Sequence, residues 1–197
     1  MNVQETRLYI KNFYESLYEK AKNISEVLVK VPAEEGSEPM WAEGAVLDED
    51  GWVTWRLLPA QVSEERIQKL EEQIGAKLPQ VLKIFITTYF HYFEGGIGRN
   101  PVEDKFVGLL NAWNPMLVRN GYLPFAWDKE GYFIRCMDLG NMPDEEKCQI
   151  VQIDHEVMFE FDEETTGRDA LAAEMEPVAE NFFAYLDALL RGQSIEM

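Results

Sequence analysis

Residues 62–96 read VSEERIQKLEEQIGAKLPQVLKIFITTYFHYFEGG. Their pattern is two helices joined by a punctuated turn. Ser63 suits an N-cap, because its hydroxyl can accept from a first-turn N–H. Glu64 and Glu65 follow where the helix dipole favours negative charge. Val62 and Ile67 have the spacing of a hydrophobic staple. Ile67, Leu70 and Ile74 recur at helical intervals, and Gly75 supplies a C-terminal stop. Pro79 stands where a second helix would begin, its fixed φ suited to the first helical position. Val81, Leu82, Phe85, Ile86, Tyr89, Phe90 and Phe93 then make an apolar face too broad for an exposed helix. Gly95 and Gly96 close it.

Outward from this pair, the pattern alternates between helix and strand. Residues 4–24 predict an amphipathic helix packed on the core. Leu8, Phe13, Leu17, Ala21 and Ile24 mark its apolar side, and Tyr9, Ile10, Tyr14 and Tyr18 widen it. Residues 31–39 hold Pro32, Gly36 and Pro39 and predict a loop. Residues 42–59 predict a β-hairpin turning at Asp48–Gly51. Residues 95–105 predict a Gly-rich polar loop, Phe106–Leu110 begin an apolar piece, and 111–122 are irregular or a short helix broken at Pro115. Residues 122–138 are expected to be β-rich, with Pro124–Ala126 leading to a turn over Trp127–Gly131 and a strand over Tyr132–Met137; further strands are expected over 148–156 and 157–161. Residues 170–191 predict a final helix on the apolar face of Phe182, Phe183, Tyr185, Leu186, Leu189 and Leu190. Strands joined by short turns, with helices segregated from them, predict an α+β fold. The expected form is a mostly antiparallel sheet with helices packed against it. One domain over 1–197 is expected, with an N-terminal helix and loop over 1–39 and a core over 40–191.

The chain has 197 residues and a net charge of −18. Such a charge repels a phosphate backbone, which argues against nucleic acid as a direct ligand. It favours a basic partner, or serves solubility alone. At 46% hydrophobic and 12% aromatic, the chain can bury a sizeable core. Cys136 and Cys148 make neither a disulfide framework nor a metal set, and read as buried reduced thiols. The N-terminus lacks the apolar core of a signal peptide, and no run reaches the ~18 apolar residues of a membrane span. These features predict a cytoplasmic protein without a membrane anchor.

The nearest approach to a catalytic or metal cluster is Asp154, His155 and Glu156. Strand alternation would put Asp154 and Glu156 on one face and His155 on the other, poor geometry for one metal. The second histidine, His91, lies far off in sequence. GGIGR at 95–99 lacks the Lys-Ser/Thr of a phosphate loop and follows a helix. No G-x-S-x-G is present. The expectation is no catalytic residue, no metal and no cofactor. What remains is an interaction protein. Asp128, Asp144, Glu145, Glu146, Asp162, Glu163 and Glu164 fall on turns of the C-terminal sheet and would form an acidic face that steers a cationic partner. Trp127 at a turn is a candidate aromatic anchor, or else caps the core. Asp154, His155 and Glu156 complete this candidate partner-binding set.

Together these motifs resemble the SMI1/KNR4 (SUKH) superfamily. The residues that carry the likeness are Leu78, Pro79, Gly95 and Gly96, then Pro124, Phe125, Ala126, Asp128 and Gly131. Asp138 and the run Asp154-His155-Glu156 follow in the same order. The likeness spans roughly residues 40–190; Phe93-Glu94 stands where an Asn usually precedes the Gly-Gly. The resemblance implies that family's α+β fold. It also implies a non-catalytic immunity protein that binds and neutralises a cognate toxin, frequently a nuclease, so the expected partner is a basic toxin domain. The fungal members imply an alternative, a regulatory scaffold linked to cell-wall synthesis and signalling. Oligomeric state stays open.

Overall fold

The computed structural model describes residues 1–192. Ser194, near the chain end, lies outside the described residues. Helix α1, Val3–Ile24, begins at a capping box: the Asn2 side chain accepts from the backbone N–H groups of Gln4 and Glu5, and Glu5 accepts from Asn2 N–H. Its buried face is Thr6, Ile10, Phe13 and Tyr14. Leu8 and Ile24, expected on the apolar side, are exposed. Strand β1 is Lys30–Pro32, β2 is Trp52–Thr54 and β3 is Leu58–Pro59. The expected hairpin over 42–59 is only half right. Its turn forms, with Gly51 N–H donating to Asp48 O at 3.0 Å. However, β2 pairs antiparallel with β1, in register Val31↔Val53. The expected loop thus supplies the partner strand, and Val46 and Leu47 stay exposed.

Helices α2, Glu64–Ile74, and α3, Gln80–Thr88, are the expected pair. Ser63 Oγ accepts from Arg66 N–H, and Gly75 takes the left-handed conformation at φ 75°. The turn between them closes on Glu71. This buried carboxylate accepts from Leu78 N–H at 3.0 Å and pairs with Lys77 and Lys83 at 2.7 Å each. α3 stops earlier than its apolar run. Tyr89 is extended, and Tyr89–Phe90 forms β4, paired with β3. His91, expected on the helix, instead bridges to Asn100. Asn100 holds the following loop: its amide donates to Ile86 O at 2.9 Å, and its carbonyl oxygen accepts from Phe106 N–H at 2.8 Å.

Short helices α4, Val107–Ala112, and α5, Pro115–Arg119, lead into the main sheet. Its strands are β5, Tyr122–Trp127; β6, Phe133–Asp138; β7, Ile150–Asp154; and β8, Glu176–Ala179. They lie side by side in that order, all antiparallel. Two expectations fail here. Residues 157–160 form a 3₁₀ turn rather than a strand. The single helix expected over 170–191 is split into α6, Arg168–Glu174, and α7, Phe182–Arg191, with β8 between them. Pro177 explains the break: it denies a helical hydrogen bond, disfavours helix at Glu176, and is tolerated on an edge strand.

The sheet is covered on both faces. Leu123, Phe125, Met137 and Ile150 join the cluster of α1, α2, α3 and α7. Tyr122, Ile134, Cys136, Val151 and Ile153 pack with Met116, Leu117, Met158 and Leu171 on the other. Seven α-helices with three antiparallel sheets make an α+β fold among the described residues. Both cysteines are buried and free. No described helix is long and apolar enough to cross a membrane.

Candidate partner-binding surface

The topology sorts the expected acidic face into separate places. β5 ends, β6 begins and β7 ends at the same edge of the sheet, because Trp127 pairs with Ile134 and Phe133 with Asp154. That edge brings Trp127, Asp154, His155 and Glu156 together. The loop carrying Asp144, Glu145 and Glu146 joins the opposite ends of β6 and β7.

Those three acids are occupied in the fold. Both Glu145 oxygens cap α3, accepting from Gln80 N–H at 2.6 Å and Val81 N–H at 3.0 Å. Glu146 pairs with the Met1 amine, and Asp144 with Lys147 at 2.7 Å. Asp162 turns inward on its own loop, accepting from Glu164 N–H, Thr165 N–H and the Thr165 hydroxyl. The hydroxyl leads in holding its carboxyl below the ordinary range. Arg119 donates to Glu163 O and ties this turn to α5. Asp128 corrects the expectation most sharply. It is 7% exposed, and its carboxylate accepts from Phe133 N–H at 2.9 Å to close the β5–β6 turn. It is a buried turn fastener, not a surface charge.

What the shared edge does build is an aromatic row. The Trp127 and His155 rings lie 5.7 Å apart, and His155 and Phe159 lie 6.3 Å apart, all edge-on. Trp127 is half-buried; its indole N–H donates to Asn111 O at 3.0 Å, which fixes the ring. His155 is fixed twice. Its backbone N–H donates to Tyr132 O at 2.9 Å, and Nδ1 sits 3.0 Å from that same oxygen. A carbonyl only accepts, so Nδ1 carries the proton there. Phe159 is 84% exposed and Tyr132 57%. Beside them run Asp154, Glu156 and Glu160, with Asp154 Oδ1 accepting from Glu156 N–H at 2.8 Å. Among the described residues, no group of three or more His, Cys, Asp or Glu is placed to hold a metal.

Tyr132 and Phe159 escaped the sequence reading because both fell inside segments read as strands, where a large apolar residue implies burial. The signal available was Met158 and Phe161, which pack inward around Phe159. The model of the SMI1 / KNR4 family (SUKH-1) matches residues 61–188. No curated protein matches the chain.

Proposed function

We propose, on the premise that the chain belongs to the SMI1 / KNR4 family (SUKH-1), that it is a cytoplasmic immunity protein. It binds a cognate toxin domain stoichiometrically and blocks it without catalysis. Membership in the family is consistent with an immunity-type role. The observation that carries the reading is the edge-on row of half-buried Trp127 and His155 with exposed Phe159, Tyr132 beside it, on a chain of net charge −18. Aromatic anchors inside a negative field suit a partner that is basic around an apolar centre. A nuclease cleft, lined with cations for its phosphate substrate, has that character.

The test starts in the native host. The tagged chain is recovered at low salt, and each co-eluting protein is expressed alone and together with it. One basic protein, toxic alone, relieved by co-expression and released by raised salt, is the expected result. Several non-toxic cell-wall or signalling proteins would replace this reading with that of a regulatory scaffold.

A further inference from the structure

Arg135, in β6, is 3% exposed. Among the described residues no carboxylate lies at ion-pair distance from its guanidinium, and Nε has no hydrogen-bond partner. A buried N–H without an acceptor is unfavourable, because its hydration is lost and no hydrogen bond replaces it. Cys136 and Ile134, its neighbours in the strand, point to the other face and pack conventionally. Arg135 therefore stands out among the described residues as a buried cation with no direct anionic partner.

The side chain lines a cavity of about 230 Å³. Leu17 of α1, Phe93, Ile97 and Leu189 of α7 give it apolar walls. Gly95 and Gly96 shape it. The Gly96 carbonyl accepts from the Tyr185 hydroxyl. A Cβ on Gly96 would meet Tyr185 Oη at 2.9 Å and Leu189 Cδ2 at 3.2 Å, so this backbone leaves no room for a side chain beside the cavity. Lys129 and Glu94 also line it, one charge of each sign. Asp128, the buried carboxylate that also acts on Tyr185, is engaged by Phe133 N–H and does not line the cavity, which leaves the Arg135 guanidinium as the cavity's own unpaired charge.

We propose that this cavity binds a monovalent carboxylate carried on a compact apolar group, with Arg135 donating to the carboxylate. The guanidinium fork matches a carboxylate in two parallel hydrogen bonds. The walls accept the apolar part. A phosphate fits poorly: the N–H groups of Gly96, Ile97 and Gly98 already donate to the carbonyls of Trp127 and Glu94, leaving no backbone cradle. Glu94 would also repel a second negative charge. The inference does not depend on the toxin reading, since neither Arg135 nor its cavity belongs to the aromatic row.

Calorimetric titration of the full chain at neutral pH tests it. The probes are octanoate against octanamide, an apolar tripeptide acid against its C-terminal amide, and inorganic phosphate. At least one acid should bind saturably, with its amide weaker by about tenfold or more. Octanoate alone would identify a free acid as the source, and the tripeptide alone a chain terminus. Arg135→Met should abolish the binding while Tm holds or rises, because an apolar side chain replaces a buried charge. Leu17→Trp, which fills the cavity from α1, should weaken binding with β6 intact. No saturable binding of either acid at millimolar concentration, equal binding of the amides, preference for phosphate, or undiminished binding by Arg135→Met would each overturn the proposal.

Discussion

His91 is a neutral imidazole among rings, 4.9 Å from Tyr14 and 5.7 Å from Phe93. Burial pushes its pKa down from 6.5 to about 3, against a weaker opposing hydrogen bond with the Phe93 backbone. Between those values the unfolded chain binds a proton that the folded chain refuses. Stability therefore falls as pH drops below about 6.5, with the loss complete near 3. Nδ1 of His91 has no partner among the described residues, so a phenyl ring gives up only the hydrogen bond with the Phe93 backbone. His91→Phe should flatten the stability profile between pH 6.5 and 3, read by urea denaturation at stepped pH. An unchanged acid limb would assign that loss to other groups.

The exposed aromatics give a second prediction at this scale. Phe159→Ala and Tyr132→Ala should each weaken partner binding by about tenfold or more, through faster dissociation. Their Tm should stay within a degree or two, since neither ring is buried. A Tm loss without an affinity loss would make them structural. The candidate site was legible in part. Trp127 and the Asp154–Glu156 run were found because polar and aromatic residues at a strand end stand out in a sequence. Asp128 was misread because a turn carboxylate looks the same whether it faces water or closes the turn on Phe133 N–H. Arg135 was invisible as a site, because β-alternation does not say whether a charged strand residue escapes to solvent.

Elements were most legible where local chemistry decides them. Caps at Ser63 and Gly75 fixed α2, and the apolar face marked α3 but not its end, since Tyr89 and Phe90 leave the helix to pair with β3. Pairing decided the rest: β1 was hidden because only a distant partner turns Lys30–Pro32 into a strand, and β8 because a short edge strand carries little pattern. The α2–α3 turn gives the test of this scale. Burial alone would raise the Glu71 carboxyl, but Lys77, Lys83 and Leu78 N–H together draw it from 4.5 to about 2. A depressed carboxyl stabilises fully above its unfolded value, and that stabilisation is lost as pH falls through the folded one. Glu71→Gln should destabilise the chain by about 1–3 kcal/mol at neutral pH. The difference from the parent should vanish between about pH 4.5 and 2. The loop after α3 also packs closely on α4, where Gly108 N–H donates to Arg99 O at 2.7 Å. A Cβ on Gly108 would come within 2.4 Å of the Gly98–Arg99 backbone. Gly108→Ala should therefore lower stability by about 2 kcal/mol or more, since backbone cannot yield as a side chain would.

At the scale of the whole molecule, the surplus of carboxylates outlasts the ones the fold consumes. Glu71, Asp128, Asp138 and Glu145 are tied to backbone or cations inside the structure, through contacts such as Arg168–Asp138 at 2.6 Å. The net charge of −18 still exceeds what these internal contacts employ. Its remaining use is a long-range field, and a field acts on the rate of encounter more than on the lifetime of a complex. With the basic partner in hand, raising salt from roughly 10 mM to about 0.3 M shortens the screening length severalfold. The association rate should then fall by about tenfold or more, with the dissociation rate changing far less. Glu156→Lys with Glu160→Lys should slow association further and leave dissociation near its parent value, the reverse of Phe159→Ala. Stopped-flow mixing separates the two. If salt left association unchanged, the acidity would serve solubility alone, and recognition would rest on the aromatic row without electrostatic steering.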